Sequence, residues 1–244
     1  MKKPLRFAMI LLAIMIFSAV CGRAACGAQI NENDIVFFGD STTAHMKLRG
    51  GIPEERVWTG KANTVLFRTV CEGKPIYFED EDRAVSLADA AKERKPKVLV
   101  ITLGVSGGAG FMPEEKFVAV YEKMIDTVTE NSPKTKIFVQ SILPLSDKST
   151  IHYKKLSKQA VCEANEWIKG LCARKGITYI DSHSLLCGED GYLKKVYQND
   201  EYMHLTSAAY RVIIDNVYKT VINSETNTKT EGEKQSCRKI WVEG

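Results

Sequence analysis

The feature that most constrains the fold is a six-residue run at 98–103, Val-Leu-Val-Ile-Thr-Leu, which is apolar at all but one position. A run without alternation of polar and apolar residues is typical of a strand covered on both faces. A shorter run at 34–38 has the same character and ends at Gly39. Strands of this kind occur in parallel sheets that carry helices on both sides. The two runs therefore predict the centre of such a sheet.

Further strands and helices alternate along the rest of the chain, and only the stretch 50–80 gives no clear elements. The predicted strands are 34–38, 98–103, 137–139 and 177–180, and the predicted helices begin at Ser41 and cover 84–94, 113–130, 156–174 and 207–221. This order predicts an α/β fold, a single flavodoxin-like three-layer domain with a parallel sheet and helices on both faces. Ligands of such sheets bind beyond the carboxyl ends of the strands.

The N-terminus has the pattern of an export signal. Lys2, Lys3 and Arg6 precede an apolar stretch at 7–20, and small residues follow. The apolar stretch is short for a membrane span, which needs roughly 20 residues. We therefore expect a cleavable signal peptide, with an uncleaved membrane anchor as the alternative, and a secreted or extracytoplasmic location. The predicted divisions are a signal or anchor at 1–28, one domain at 29–222 and a polar, loose tail at 223–244.

The basic charge of the chain belongs to this first segment. The formal net charge is +4, and residues 1–28 contain four basic residues, Lys2, Lys3, Arg6 and Arg23, and no acidic residue. A chain that begins near Gln29 is therefore formally neutral. Nucleic-acid binding would leave a clustered basic footprint, so we expect no nucleic-acid partner.

The cysteines predict neither a metal site nor a definite disulfide. Beyond residue 28 they are Cys71, Cys162, Cys172, Cys187 and Cys237. Their spacing matches no zinc pattern, and the chain has no phosphate-binding glycine motif, so no cofactor or metal is expected. Cys162 and Cys172, on one predicted helix, would lie about 15 Å apart and could not pair. One disulfide among the others stays open, beside the alternative that all are small buried residues.

A serine follows the first strand directly, in Gly39-Asp40-Ser41. Glycine permits a tight strand-to-helix turn there. The Ser41 hydroxyl would then lie at the carboxyl edge of the sheet, and its backbone N–H could stabilise an oxyanion. The alternative is that Ser41 only caps the helix.

A histidine precedes the last helix, in Glu201-Tyr202-Met203-His204. Histidine is the usual general base, because its ordinary pKa is close to neutrality. A carboxylate three residues earlier could fix its tautomer, as the acid of a serine triad does. The alternative is a surface histidine.

The two motifs together resemble those of the SGNH (GDSL-like) hydrolases, a lipase/acylhydrolase family, over residues 33–221. In that family Gly-Asp-Ser follows the first strand, and Asp-x-x-His precedes the final helix. The resemblance implies that Ser41 is the nucleophile and His204 the base. It places Glu201 at the position of the orienting acid, with the adjacent Asp200 as the alternative, since aspartate is the usual partner.

The middle of the chain departs from the family. A glycine N–H usually completes the oxyanion hole, and Gly60 is our candidate, with Asn63 or no match as alternatives. The family's Gly-x-Asn block is represented by Gly104-Val105-Ser106, so the predicted oxyanion hole is Ser41, Gly60 and Ser106. A hydroxyl is a shorter and less fixed donor than an amide, and loss of one donor typically costs about 10²–10³ in rate.

The three other histidines are weaker candidates for a catalytic role. His45 lies four residues after Ser41 and is expected on the helix surface. His183 follows a predicted strand and could line the rim of the pocket. His152 has Lys154 and Lys155 beside it and is expected in a solvated loop.

These observations predict an exported serine esterase that hydrolyses or transfers acyl groups, most readily O-acetyl groups, on an extracellular carbohydrate or another small ester. Because Ser106 stands where the family has asparagine, an alternative stays open: a catalytically impaired module that binds cell-surface glycan. A flavin-binding protein has a similar order of elements, but no motif in the chain selects for flavin. The expected partner is an ester substrate, and an uncleaved N-terminus would add membrane association.

Overall fold

A computed structural model describes residues 30–242 of the 244-residue chain, with side chains as far as residue 224. The predicted signal or anchor at 1–28 lies outside the described residues. Within them, no helix combines the length and apolarity that crossing a bilayer would require.

A parallel sheet forms the centre of the fold, as predicted, and it contains five strands where the sequence indicated four. Its strands are β1 (Ile35–Gly39), β2 (Val57–Trp58), β5 (Val98–Thr102), β6 (Lys136–Gln140) and β7 (Thr178–Ile180), in the order β2-β1-β5-β6-β7. β5 lies between β1 and β6 and is buried at all five positions. The central place of β5 explains why its sequence has no polar face.

The helices are α1 (Ser41–Ala44), α2 (Leu87–Arg94), α3 (Glu114–Asn131), α4 (Ser149–His152), α5 (Lys158–Lys175), α6 (His183–Leu186) and α7 (Ser207–Val242), and a π-helical turn, Met46–Gly50, follows α1. Short 3-10 turns lie at Glu32–Asp34, Glu54–Arg56, Phe67–Thr69, Glu79–Glu81 and Lys195–Tyr197. The last helix continues to Val242, past its predicted end at Val221.

The region that the sequence left unplaced contains a small hairpin. β3 (Ile76–Phe78) and β4 (Arg83–Val85) pair antiparallel in a sheet of their own. The helix predicted to begin at residue 84 therefore begins at Leu87, which is a correction. Its N-cap is Ser86, whose hydroxyl accepts the N–H of Asp89 at 3.0 Å. Because the cap fixes the start of the helix at Leu87, residues 83–85 lie outside the helix and pair as a strand.

An aromatic cluster supports the loop after β5. Phe67, Phe117 and Tyr121 are fully buried and in mutual ring contact. The Tyr121 hydroxyl donates to the carbonyl of Leu103 and accepts its N–H at 3.2 Å. The core thereby holds the start of the glycine-rich loop at 104–110, beside the carboxyl end of β1.

Candidate active site

Ser41 is the first residue of α1, immediately beyond the end of β1. Asp40 is the N-cap, and its carboxylate accepts the backbone N–H of Thr42 at 3.2 Å and the Thr42 hydroxyl at 3.0 Å. A side chain on Gly39 would collide with the hydroxyl of Thr43 and the carbonyl of Thr102. The turn therefore needs glycine before the cap, and it presents Ser41 at the edge of the sheet, half-buried.

Asp40 also links this turn to the loop after β5. The carboxylate is buried, and burial raises the pKa of Asp40, although the N–H and hydroxyl of Thr42 and the backbone N–H of Ser106 act in the opposite direction. The N–H of Ser106 therefore lies near enough to Asp40 to stabilise the charge of its carboxylate. One buried carboxylate thus relates the position of Ser41 to that of Ser106.

The segment 199–206 holds His204 through one carboxylate. One oxygen of Asp200 bonds Nδ1 of His204, and the other accepts the backbone N–H groups of Tyr202, Met203 and His204 at 2.8, 3.1 and 3.2 Å. Partial burial alone would raise the pKa of Asp200, but the hydrogen bonds from Tyr202 and His204 outweigh it and lower that pKa. Asp200 is therefore ionised at neutral pH, and its bond to Nδ1 leaves Nε2 of His204 available to accept a proton.

Glu201, the acid that the family spacing favoured, does not contact His204. Its side chain is exposed and pairs with Lys148. Its backbone carbonyl accepts the hydroxyl of Ser146, whose own N–H donates to the carbonyl of Tyr202 at 3.1 Å. The structure thus places Asp200, the alternative acid, against the imidazole and uses Glu201 to attach the segment to the loop after β6.

Ser41, Ser106, Asp200 and His204 line one cavity of about 550 Å³. Within the described residues no hydrogen bond joins the Ser41 hydroxyl to His204, as is common in enzymes without substrate. Four large, exposed side chains also line the cavity, namely Leu66, Phe111, Tyr153 and Tyr202. The cavity therefore combines a serine and a histidine with an apolar, largely aromatic rim.

Comparison with known proteins assigns the family. The sequence pattern of the GDSL-like lipase/acylhydrolase family matches residues 37–212. The chain belongs to this family. No curated protein matches the sequence significantly.

Solved structures share the fold at low sequence identity. A GDSL-like lipase from Bacteroides thetaiotaomicron is 17% identical, with a TM-score of 0.54 over 82% of this chain and 94% of that one. A protein assigned as an acylhydrolase from Bacteroides fragilis is also 17% identical, with a TM-score of 0.53 over 78% and 86%. At this identity the likeness concerns the fold alone.

Of the three residues predicted to form an oxyanion hole in this GDSL-like protein, Gly60 does not line the cavity. Ser106 lines the cavity, whereas neither Gly60 nor Asn63 does, although their neighbour Thr64 lines it. Gly60 and Asn63 form a tight turn in which the N–H of Asn63 donates to the carbonyl of Gly60 at 2.8 Å. A side chain on Gly60 would collide with the carbonyl of Thr64, so close backbone packing accounts for this glycine.

His45 lies against His204 and not on a free helix surface, which corrects our expectation. The ring centroids are 4.6 Å apart with an interplanar angle of 64°. Partial burial, together with the charges of His204 and Arg49, lowers the pKa of His45 despite the opposite effect of Asp200. The spacing of four residues from Ser41 was the available signal, because such residues share a helix face.

The remaining histidines contact protein groups away from Ser41. Nδ1 of His183 lies 3.0 Å from the carbonyl of Ile142, which ties α6 to the loop after β6. His152 stacks on Tyr202 with centroids 4.2 Å apart. No group of three or more histidine, cysteine, aspartate or glutamate side chains within the described residues is arranged to hold a metal ion.

Proposed function

We propose that this protein is a serine esterase that hydrolyses or transfers acyl groups, with Ser41 as nucleophile, His204 as general base and Asp200 as the orienting acid. Membership of the acylhydrolase family supports ester chemistry in general. The single observation that carries the residue assignment is the Asp200–His204 pair on the cavity that Ser41 also lines.

The proposed reaction has two steps. The Ser41 hydroxyl attacks the ester carbonyl while Nε2 of His204 takes its proton, and the carbonyl electron pair moves onto oxygen. Collapse of this intermediate breaks the bond to the alkoxide, which receives the proton from His204. Water or an acceptor alcohol then repeats the sequence on the acyl-enzyme. Asp200 stays ionised throughout and stabilises the imidazolium.

We propose an O-acetylated carbohydrate as the substrate, with other small esters as the alternative. Tyr153 and Tyr202, both at the rim, have ring centroids 6.3 Å apart. Tyrosine presents an apolar ring and a polar hydroxyl, which suits a sugar with apolar faces and hydroxyl edges. The signal-like pattern at 1–28 supports an extracytoplasmic location, secreted or held at a membrane by that segment.

The deciding variant is Ser41→Ala. We expect turnover of an aryl acetate and acetate release from acetylated xylan to disappear, while the thermal midpoint stays within about 2 °C because the hydroxyl is not a core group. A fluorophosphonate, which reacts with activated serines, should label the wild-type protein at Ser41 and leave Ser41→Ala unlabelled. Ser184→Ala, a serine on the surface helix α6, is the matched control and should behave as wild type.

Two outcomes would reject the esterase mechanism. One is equal turnover by wild type and Ser41→Ala. The other is a wild-type protein that releases no acetate and takes no label but retains acetylated xylan in a binding assay, which is the result that the glycan-binding alternative requires.

A further inference from the structure

Two backbone donors of the loop after β5 form hydrogen bonds within the loop itself. The N–H of Ser106 lies near the carboxylate of Asp40 and lowers the pKa of that group. The N–H of Gly107 donates to the carbonyl of Val105 at 2.9 Å, and that of Ala109 to the carbonyl of Gly104 at 2.7 Å. The N–H groups of Gly107 and Ala109 are therefore not available to an oxyanion. The short Ser106 hydroxyl is the side-chain donor that the loop itself contributes.

Arg68 lies on the same wall. It lines the cavity with Ser41 and Ser106, and a methyl group built on Gly107 would lie 3.7 Å from its Nε. The preceding residue, Phe67, is fully buried, and its N–H donates to the carbonyl of Ser106 at 2.9 Å. The backbone that carries Arg68 is therefore attached to the loop that carries Ser106.

The guanidinium of Arg68 has no partner among the side chains that the structure describes. Within the part of the chain whose side chains are described, it makes neither an ion pair nor a hydrogen bond. Two other arginines do have carboxylate partners, since Arg83 pairs with Glu81 and Glu93, and Arg94 with Asp80. An arginine that borders the cavity with all its donors available is suited to bind a negative charge that arises only during the reaction.

We propose that Arg68 is a catalytic residue that donates a hydrogen bond to the oxyanion, where Ser106 alone is a short donor. Arginine remains protonated, and its planar fork offers several N–H donors, so no proton moves to or from it. A charged donor makes a hydrogen bond roughly twice as strong as a neutral one. The charge appears when the Ser41–carbon bond forms and vanishes when the alkoxide leaves, so Arg68 favours the intermediate over the substrate.

This inference rests on the proposed function, and its test separates the two. The experiment measures kcat and KM on a neutral aryl acetate for wild type, Arg68→Met, Ser106→Asn and the double variant. We expect Arg68→Met to lower kcat by about 10²-fold with KM changed less than about 3-fold. Ser106→Asn supplies a longer donor and should keep or raise kcat. In the Arg68→Met background it should recover at least about 10-fold.

Arg174→Met is the matched control, because it removes one exposed arginine at the far end of α5. Its kcat should equal that of wild type, and the thermal midpoint of Arg68→Met should equal that of the control. Wild-type kcat in Arg68→Met would overturn the inference, and so would a gain from Ser106→Asn that is the same in both backgrounds. If Arg68→Met instead keeps wild-type kcat on the neutral aryl acetate and raises KM only for an aryl ester that carries a carboxylate, Arg68 is assigned to substrate binding. In each case Ser41→Ala still reports separately on the esterase mechanism.

Discussion

The two sides of the cavity are built in different ways. On one side, Asp200 and His204 lie four residues apart, and a single carboxylate binds both the imidazole and the backbone of its own segment. On the other side, the groups around Ser41 come from separate parts of the chain, the turn after β1, the segment around Arg68 and the loop after β5. The first side depends on local hydrogen bonds, and the second depends on tertiary packing.

The carboxylates of the two sides, Asp200 and Asp40, also lie in different environments. Asp200 is partly exposed and held ionised by hydrogen bonds, whereas Asp40 is buried and its pKa is raised. On the other side, we expect a displacement of Asp40 to move both Ser41 and Ser106.

The largest expected effect concerns the local side. Asp200→Asn should lower kcat by about 10³–10⁴, because an asparagine amide cannot hold the required tautomer or stabilise the imidazolium. Glu201→Gln, which changes the exposed neighbour bonded to Lys148, is the control and should keep kcat within about 2-fold. Steady-state kinetics on an aryl acetate compare the two. A greater loss in Glu201→Gln would return the role of orienting acid to Glu201.

An intermediate effect is expected at the buried carboxylate. Asp40→Asn keeps an acceptor for Thr42 but turns amide hydrogens towards the other donors that surround this side chain. One donor would lose its acceptor, at a cost of about 1–3 kcal/mol in the free energy of unfolding. We expect a fall in the thermal midpoint together with a loss in kcat of about 10-fold. Reduced stability with unchanged kcat would show that the Ser41 turn and the loop after β5 are not coupled through Asp40.

The smallest effect concerns His45 and depends on pH. Because the pKa of His45 is lowered in the fold, the unfolded chain binds the proton first, so this group reduces stability as pH falls below about 6.5. His45→Phe keeps a ring against His204 but does not titrate, although Arg49 and Asp200 still face it. The decline in thermal midpoint between pH 7.5 and 5.5 should be smaller in the variant by a few degrees. Parallel declines in both proteins would contradict this account.

The parts that the sequence predicted well are those with dense local signals. The apolar run that became β5 and the Gly39-Asp40-Ser41 turn have patterns that leave few alternatives. The stretch 50–80 could not be placed because its strands have only two or three residues, too few to show a period.

The orienting acid could not be chosen from the sequence for a geometric reason. We treated residues 200 and 201 as neighbours on an extended chain and relied on the family spacing. In the structure the backbone turns around Asp200, which accepts three successive N–H groups and so brings its carboxylate inward. Turns of this kind are typical of aspartate, whose short side chain reaches nearby backbone donors.

The contact between α7 and α1 joins a part of the chain that is synthesised early to one that is synthesised late. The buried hydroxyl of Tyr210, on α7, donates to the carbonyl of Thr42 at 2.7 Å, across 168 positions of sequence. A ribosome releases the N-terminal part of a chain first, so the proposed nucleophile, Ser41, is synthesised long before the proposed base, His204. In the proposed mechanism the chain therefore cannot act on an ester during synthesis, and activity requires the last helix.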